Sequence, residues 1–516
     1  MKKIQLLLLF ISLFVYMLPT NAQKLKGNLL VGSKTKSNIQ INDLHKYNVF
    51  MKKGEFGLIN LIQKGMDVKI VTYNPDGKEI EEFDSPNGSF GNELILIDAN
   101  QSGTYVLKVI PLAEDKEEKS GSYTLELISK NENINSHLDE GFELISDGNY
   151  LPGFFVSIVN DKKIIYTNGK GFANIKEQIP YTVNTIQQIE SISKTFLGLS
   201  IMLLVEEGKL DLDKDINTYL PFKVRNPFFP RKSITLRHLA THTASIDDRE
   251  LHEKISWIEN KEVFLKNKDK YIHEERRVFY ESIMSNTEIS MEDFLKSFFI
   301  PKEKNYSKKN FLKKKPGKKW YYSNIGATLA AYIVQLVSEQ NYDEFVVNNI
   351  IEPLKLKHTT WRYNSGESLT NALKYGGGKN EYPRTIGPTY PDGGIYSSTT
   401  DLSKYLIELI KGYSGANTLL KPSSYQEIMK VQFKETKGQF KGIKNGLFWW
   451  IFNQNRMGHN GGNMGSNANM FFYPDLNVGY TSLENMSSRE SDDAVIQSMN
   501  IKNMLTRYLK YFSDNK

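Results

Sequence analysis

Apolar and polar residues alternate in short runs from about residue 24 to residue 130. Turn sequences such as Pro75-Asp76-Gly77 separate these runs. The clearest runs are residues 46–50, 68–73, 104–109 and 123–127. An alternation with a period of two, interrupted by turns, is typical of strands that bury one face. The pattern therefore predicts an all-β sandwich over residues 24–130.

The pattern changes after this region. A polar stretch and a helical segment over residues 131–150 predict a linker and a first helix. Apolar runs at residues 154–159 and 163–166, joined by a short turn, then predict a β-hairpin. We expect the hairpin to open a second domain over residues 151–516, in which helices and strands are mixed.

Three segments of the second domain differ in composition from the rest, and each composition predicts a structural role. Residues 196–207 are apolar on nearly every face and end at Gly208, which predicts a buried helix with a glycine cap. Residues 247–319 are rich in charged and aromatic residues but contain few candidate catalytic residues. We expect them to form an insertion over the active site. The amphipathic segment at residues 488–511 predicts a C-terminal helix that packs on the sheet.

The N-terminus has the order of a leader sequence. Two lysines precede a mostly apolar run over residues 4–18, and small and polar residues follow up to Ala22. This order predicts a secretory signal peptide over residues 1–22 that is cleaved after Ala22. A membrane anchor is the alternative, but the run is shorter than the roughly 20 residues that a spanning helix needs. We therefore predict an exported protein, periplasmic or secreted, with no transmembrane anchor after cleavage.

The amino-acid composition limits the kinds of catalytic group that the chain can use. The chain has 516 residues and no cysteine, so thiol and zinc–thiolate chemistry are excluded and serine becomes the leading nucleophile. The formal net charge is +7, with lysines concentrated at residues 302–319, which we interpret as a solvated face. Because no nucleic-acid-binding motif accompanies this charge, we predict no nucleic-acid partner. An anionic cell-wall polymer is the alternative partner.

The segment Ser191-Ile192-Ser193-Lys194 places a hydroxyl and an amine three positions apart at the start of the apolar helix. Residues at i and i+3 share one helix face, so the Lys194 amine can reach the Ser191 hydroxyl and relay a proton. A helix N-terminus also favours negative charge that develops on a bound oxygen. Taken alone, S-x-x-K more often marks a solvated turn. The motifs elsewhere in the chain must therefore decide between a turn and a catalytic site.

Two further motifs follow downstream. Tyr322-Ser323-Asn324 leads into an apolar helix over residues 325–337, so a phenol and an amide lie together at a helix start. Gly458-His459-Asn460-Gly461-Gly462 precedes two apolar strands. A glycine-rich strand next to a nucleophile leaves room for a substrate backbone.

With S-x-x-K, Y-x-N and H-x-G in this order, the chain resembles the serine β-lactamase and D,D-peptidase superfamily over about residues 140–510. The resemblance is nearest to the class C and esterase-like branch. It implies an α/β (α+β) fold in which helices flank an antiparallel sheet, with a helical subdomain. Supporting phrases are residues 208–213, 235–243, 351–354 and 393–397. Phrases such as Ser102-Gly103-Thr104-Tyr105 make residues 24–130 similar to the jelly-roll accessory domain of pre-peptidase C-terminal type.

The resemblance also implies roles for individual residues. Ser191 would be the nucleophile, while Lys194 and Tyr322 would share the general-base work, and the sequence leaves open which of the two is the base. The substrate would be bound and oriented by side chains or backbone of Asn324, His459 and Gly461. The backbone N–H groups of Ser191 and Gly462 would form the oxyanion hole.

Two residues depart from the family pattern. Glu190 stands where a small residue is usual, and its effect is left open. His459 replaces the lysine of the third β-lactamase motif, which weakens a β-lactamase assignment and favours the esterases and peptidases of the superfamily.

Each assignment has an alternative. Asn324 could cap a helix, and His459 could be an ordinary packed residue. His238 and His242 have the i, i+4 spacing of zinc ligands, but a third ligand is missing, so we predict no metal and no cofactor. Gly169-Lys170-Gly171 is interpreted as a turn rather than a dinucleotide site.

The sequence therefore predicts an exported serine hydrolase that forms an acyl-enzyme on Ser191 and cleaves an amide or ester, such as a D-amino-acid peptide or a small ester. One alternative is a true class C-like β-lactamase. The other is a catalytically silent cell-wall-binding protein of the same fold.

Overall fold

The computed structural model describes residues 23–112, 120–249, 251–361, 363, 370–434, 436, 441–452 and 456–513. The predicted signal peptide, residues 1–22, lies outside the described residues. Among the residues described, no helix has both the length and the apolar character that a membrane span requires. The chain divides into two compact units between His137 and Leu138.

The described residues of the first unit form nine strands. They are β1 (Gln23–Asn28), β2 (Lys34–Gln40), β3 (Leu44–Met51), β4 (Phe56–Lys64), β5 (Val68–Tyr73), β6 (Glu79–Phe83), β7 (Phe90–Asp98), β8 (Gly103–Pro111) and β9 (Ser120–Asn131). One sheet has the order β1-β3-β8-β5-β6 and the other β2-β9-β4-β7. Val49 and Leu107 of the first sheet share one apolar cluster with Ile59 and Leu125 of the second. The predicted β-sandwich is confirmed, and the two-residue alternation reflects burial of one face of each strand.

The second unit is built on an antiparallel sheet of eight strands with the order β12-β11-β10-β22-β21-β20-β19-β18. Its strands are β10 (Gly153–Asn160), β11 (Ile164–Asn174), β12 (Ile179–Pro180), β18 (Lys444–Asn445), β19 (Trp450–Ile451), β20 (Met457–Asn463), β21 (Ser466–Tyr473) and β22 (Val478–Glu484). The short strands β13 (Ile186–Gln188), β14 (Trp257–Ile258), β15 (Thr359–Thr360), β16 (Thr385–Ile386) and β17 (Tyr396–Ser398) lie outside this sheet. The predicted hairpin is β10–β11.

Helices cover both faces of this sheet. The helices are α1 (Ile134–Asp147), α2 (Ser193–Glu206), α3 (Leu236–Ala240), α4 (Leu251–Lys254), α5 (Lys261–Asn267), α6 (Glu274–Ile283), α7 (Met291–Phe299), α8 (Asn324–Ser338), α9 (Tyr342–Val346), α10 (Thr399–Tyr413), α11 (Pro422–Met429) and α12 (Asp492–Tyr508). Phe154 of β10 meets Phe142 of α1 with ring centroids 6.1 Å apart, whereas the Ser157 hydroxyl lies 2.7 Å from that of Ser403 in α10. Side chains three positions apart on a strand point to opposite faces, so α1 and α10 lie on opposite sides. The predicted fold class is confirmed.

Helix α2 is the buried apolar helix that the sequence predicts, and Gly208, with φ of 71°, follows its end. The residues from 247 to 319 contribute α4 to α7. Part of this segment has a small core of its own, formed by Ile258, Phe264, Tyr280 and Ile283 with Tyr382. The site described next lies where α2, α8 and β20 meet this segment.

Candidate active site

Ser191 lies in a single 3-10 turn, Glu190–Ile192, immediately before α2. Strand β20 runs alongside this turn. A Cβ added to Gly461 would lie 2.2 Å from the Ile189 carbonyl oxygen and 3.0 Å from the Ser191 backbone nitrogen. Glycine at position 461 is therefore required for the close approach of the strand to the nucleophile turn.

The Lys194 amine is fully buried and donates to the Ser191 hydroxyl oxygen at 3.0 Å. It also donates to the backbone carbonyl of Asp392 at 2.6 Å. The i, i+3 spacing in the sequence thus produces the predicted serine–lysine contact. The second hydrogen bond fixes the amine, because a buried lysine keeps its position only when its donors are satisfied.

Tyr322 approaches the same hydroxyl from the segment before α8. Its phenol donates to the Ser191 oxygen at 2.9 Å, and the Lys194 nitrogen lies 5.1 Å from the centre of its ring. Both groups thus donate to the hydroxyl in this geometry, and either one, once deprotonated, can accept the serine proton as the oxygen attacks. The structure brings the three predicted catalytic residues together.

Asn324 is the first residue of α8, but it is not the helix cap. Ser323 takes that role, because its hydroxyl accepts from the backbone N–H of Gly326 at 2.8 Å. The alternative that assigned Asn324 to capping is therefore wrong. The Asn324 amide nitrogen lies 3.5 Å from Nδ1 of His252, and its Oδ1 is buried without a hydrogen-bond partner among the described residues.

Asp248 accepts hydrogen bonds from the N-terminus of α8, a role that the sequence did not indicate. Its buried carboxylate accepts from the Ser323 hydroxyl and from the backbone N–H groups of Asn324 and Ile325. Burial raises the pKa of Asp248 to about 6, although the charge of His252 and these hydrogen bonds oppose the increase. A negative charge at a helix N-terminus is stabilised by the free N–H groups.

His459 lies on β20 and is completely buried, with its ring 4.3 Å from that of Trp450. Burial, and then the charge of Lys194, lower the pKa of His459 to about 3, so the imidazole is neutral. Nδ1 lies 2.5 Å from the Asn460 carbonyl and donates to it in this neutral form. Nε2 is therefore an acceptor, and it has no hydrogen-bond partner in the described part of the chain.

Gly462 differs from Gly461 in its surroundings. A Cβ added at Gly462 would meet no atom closer than 3.9 Å, so this end of β20 is open. The backbone N–H groups of Ser191 and Gly462 belong to the two segments that meet at the nucleophile, which is consistent with their predicted pairing in an oxyanion hole.

The two histidines considered as zinc ligands have structural contacts. Nδ1 of His238 accepts from the Thr235 backbone, and Nδ1 of His242 accepts from the Ser323 backbone at 3.2 Å. The His242 ring packs 4.4 Å from that of Tyr322, so it supports the tyrosine. Within the described residues, no three potential ligands gather in a metal-binding group.

Glu190, whose effect the sequence left open, forms a buried ion pair. Its Oε1 accepts from Nζ of Lys374 at 3.1 Å and from the Ser466 hydroxyl at 2.6 Å. The glutamate that replaces a small residue at this position therefore pairs with Lys374, which lies elsewhere in the second unit.

His252 and Asp392 form a second pair that no sequence motif indicated. Nε2 of His252, on α4, lies 2.9 Å from Oδ2 of Asp392, whose backbone carbonyl binds Lys194. Both residues line a cleft of about 640 Å³, a volume that includes solvent at its mouth. Further residues of this cleft are Gln188, Glu190, Trp361, Tyr390 and Asn463. The cleft thus reaches Glu190, the residue that precedes Ser191.

This fold and this serine–lysine–tyrosine arrangement are of the serine β-lactamase and penicillin-binding-protein type. The family model described as Beta-lactamase matches residues 142–497. The chain belongs to that family, within the serine β-lactamase and D,D-peptidase superfamily.

Individual relatives agree with this assignment. Protein flp of Staphylococcus aureus (strain MRSA252) is 22% identical over 349 residues, which cover 66% of this chain and 60% of flp. The chain thus spans only about three fifths of the length of flp. The octameric penicillin-binding protein homologue from Pyrococcus abyssi has a TM-score of 0.56 and 25% identity, covering 73% of this chain and 77% of the other.

A more distant solved structure is similar in fold. The D-amino acid amidase from Ochrobactrum anthropi SV3, complexed with L-phenylalanine amide, has a TM-score of 0.54 and 16% identity. The match covers 72% of this chain and 99% of the amidase. At this identity the likeness concerns the fold alone.

Proposed function

We propose that this protein is an exported serine hydrolase that forms an acyl-enzyme on Ser191 and cleaves an amide or ester, such as a D-amino-acid peptide or a small ester. The observation that carries the proposal is the Ser191 hydroxyl, which lies 3.0 Å from the Lys194 amine and 2.9 Å from the Tyr322 phenol. A base beside the hydroxyl removes its proton during attack on the carbonyl carbon. The leaving group is then expelled with a proton, and water releases the acyl group.

Two unpartnered buried acceptors support a role in substrate binding. Oδ1 of Asn324 and Nε2 of His459 have no hydrogen-bond partner among the described residues. A buried acceptor without a partner costs free energy, and a substrate donor that reached it would recover this cost. Both acceptors suit the N–H groups of an amide or peptide substrate.

His459 favours this substrate class over β-lactams. The third motif of a β-lactamase carries a lysine, whereas His459 is neutral because burial lowers its pKa to about 3. The site thus lacks the cation that this position would present to an anionic antibiotic. A class C-like β-lactamase activity is the second candidate.

The test is covalent labelling. The purified chain is incubated with a fluorophosphonate and, separately, with a fluorescent penicillin, and bound label is measured. We expect labelling that is lost in Ser191→Ala and kept in Ser200→Ala, a serine of α2 that bonds to the Phe196 carbonyl instead. A folded protein that takes up neither reagent would support the silent binding protein. D-peptides, acetate esters and cephalosporins then rank the substrate classes.

We also propose that residues 1–22 direct export to the periplasm or outside the cell, and that a cell-wall polymer is a partner. The apolar leader and the lysines of residues 302–319 support these two proposals. N-terminal sequencing of the mature protein from fractionated cells tests the first, and co-sedimentation with purified cell walls at increasing salt tests the second.

A further inference from the structure

The carboxylate of Asp392 forms a long ion pair with Lys194 but accepts no hydrogen bond from it. Oδ1 of Asp392 is 3.9 Å from the lysine nitrogen, whereas the backbone oxygen of the same residue accepts from that nitrogen at 2.6 Å. Both side chains are buried, with exposed fractions of 0% for Lys194 and 12% for Asp392. Attraction between opposite charges increases as they approach in a poorly solvated site, so a closer, hydrogen-bonded ion pair is the nearest competing arrangement.

Such an ion pair would oppose catalysis. The Lys194 amine has three donors, of which one goes to Ser191 and one to the Asp392 backbone. If the carboxylate moved into hydrogen-bond contact with the amine, it would draw the amine toward Asp392 and away from the Ser191 hydroxyl. A general base must keep its hydrogen bond with the nucleophile to accept the proton.

His252 holds the carboxylate in its present position. Its Nε2 lies 2.9 Å from Oδ2 of Asp392, and Thr389 supplies a further side-chain hydrogen bond to the same carboxylate. Although burial alone would raise the pKa of Asp392, the charges of His252 and Lys194 hold it below its usual value, so the carboxylate is ionised. Nδ1 of His252 lies 3.5 Å from the Asn324 amide nitrogen, a donor that Nδ1 can accept from only in the neutral imidazole, so this weak contact opposes protonation.

The charges around His252 favour its protonated form. Burial alone would lower the pKa of this histidine, but the charge of and hydrogen bond with Asp392, and then the charge of Asp248, raise it above 6.5, while Lys194 opposes the increase. Glu190 and Glu259 line the same cleft, but they are paired with Lys374 and Arg384. A hydrogen bond between an imidazolium and a carboxylate is roughly twice as strong as a neutral one.

We propose that His252 is a positioning residue: it holds the Asp392 carboxylate away from Lys194 so that the lysine amine stays directed at Ser191. The inference rests on the proposed acylation of Ser191. It gives the segment from residue 247 to residue 319 a part in the reaction, since α4 of that segment carries the histidine.

The test is a double-mutant cycle. The measured quantity is the rate constant for labelling of Ser191 by a fluorophosphonate. His252→Leu frees the carboxylate and should slow labelling about 10- to 100-fold, the range expected for misplacement of a catalytic group by about 1 Å. In an Asp392→Asn background no carboxylate can capture the lysine, so the same His252→Leu change should cost less than about threefold. His273→Leu is the matched control, because His273 belongs to the same segment and bonds to the Glu490 carbonyl at 2.9 Å instead.

The pH dependence separates this role from simple packing. The ratio of the wild-type to the His252→Leu rate constant should fall as pH rises through the pKa of His252, because deprotonation weakens the hold on Asp392. Division of the two rate constants removes the titration of the base itself, which both proteins share.

Each outcome decides between the hypotheses. A labelled wild-type protein whose rate is unchanged by His252→Leu, or an equal loss in both backgrounds, would overturn the inference and leave the proposed function intact. Absence of labelling in the wild type would overturn both. If His252→Leu does not fold, histidine-selective NMR of the wild type replaces the cycle: a His252 ring that titrates below 6.5 would contradict its pairing with Asp392.

Discussion

Glu190 Oε1 lies 3.1 Å from Nζ of Lys374, and both side chains are buried; Glu190 directly precedes Ser191, the proposed nucleophile. Glu190 has φ of 50°, a left-handed conformation that costs a residue with a Cβ roughly 1–2 kcal/mol. Lys374 also donates to Gln188 Oε1 at 2.6 Å. The pair thus links the turn that carries Ser191 to a distant segment, and it offsets the strain that a glycine at this position would relieve.

Removal of one partner should therefore destabilise the protein. Glu190→Gly relieves the backbone but leaves a buried ammonium without its carboxylate, and we expect a loss of about 3 kcal/mol in the free energy of unfolding, measured by urea titration. Glu190→Gly combined with Lys374→Met should recover most of this loss. Stability of the single variant within about 0.5 kcal/mol of wild type would show that the pair contributes little.

Gly461 should not tolerate a side chain. The added Cβ of Gly461→Ala would overlap the Ile189 carbonyl at 2.2 Å, so the strand or the nucleophile turn must move. We expect a loss of about 1–3 kcal/mol in stability and slower labelling of Ser191. Gly462→Ala is the control for stability, because its Cβ would meet nothing within 3.9 Å. Equal melting temperatures for the two variants would contradict this account of β20.

Tyr322→Phe should retain the fold and lose most of the acylation rate. The ring still packs against His242, at 4.4 Å, but the phenol that contacts Ser191 is gone. We expect a decrease of about 10²- to 10⁴-fold in the labelling rate constant. Tyr321→Phe removes the neighbouring hydroxyl, which bonds to Asp247, and should label at nearly the wild-type rate. Normal labelling of Tyr322→Phe would exclude the tyrosine as a base and leave Lys194.

Asp248 should make stability depend on pH between about 4 and 6. Burial raises its pKa from 3.8 to about 6, so the folded protein binds this proton more tightly than the unfolded chain does. Stability therefore falls as pH rises through this window, by at most about 3 kcal/mol from this group. The difference in unfolding free energy between wild type and Asp248→Asn, followed by urea titration at each pH, should decrease over the same window. A difference that does not change with pH would contradict the assignment.

The sequence predicts those parts of the structure that local patterns determine. The alternation in residues 24–130 specifies strands, and the spacing of Ser191 and Lys194 places both on one helical turn. Tyr322 could be assigned only from the order of motifs, since 131 positions separate it from Ser191.

Residues outside any motif could not be predicted. His252 and Asp392 are 140 positions apart, and each is an ordinary polar residue in its local sequence. Their contact depends on how the segment carrying α4 folds against the cleft, which no periodicity encodes. The same holds for Asp248, whose role at the start of α8 arises from tertiary packing rather than from the residues of the helix itself.

The most direct test of the central claim is the site of acylation during turnover. A D-amino-acid ester or thioester is mixed with the enzyme, the reaction is quenched in acid at early times, and the digested protein is analysed by mass spectrometry. We expect one acyl group per chain, on the peptide that contains Ser191, which disappears as the substrate is consumed. Hydrolysis that proceeds without an adduct at Ser191, or that persists in Ser191→Ala, would contradict the proposed role of this serine.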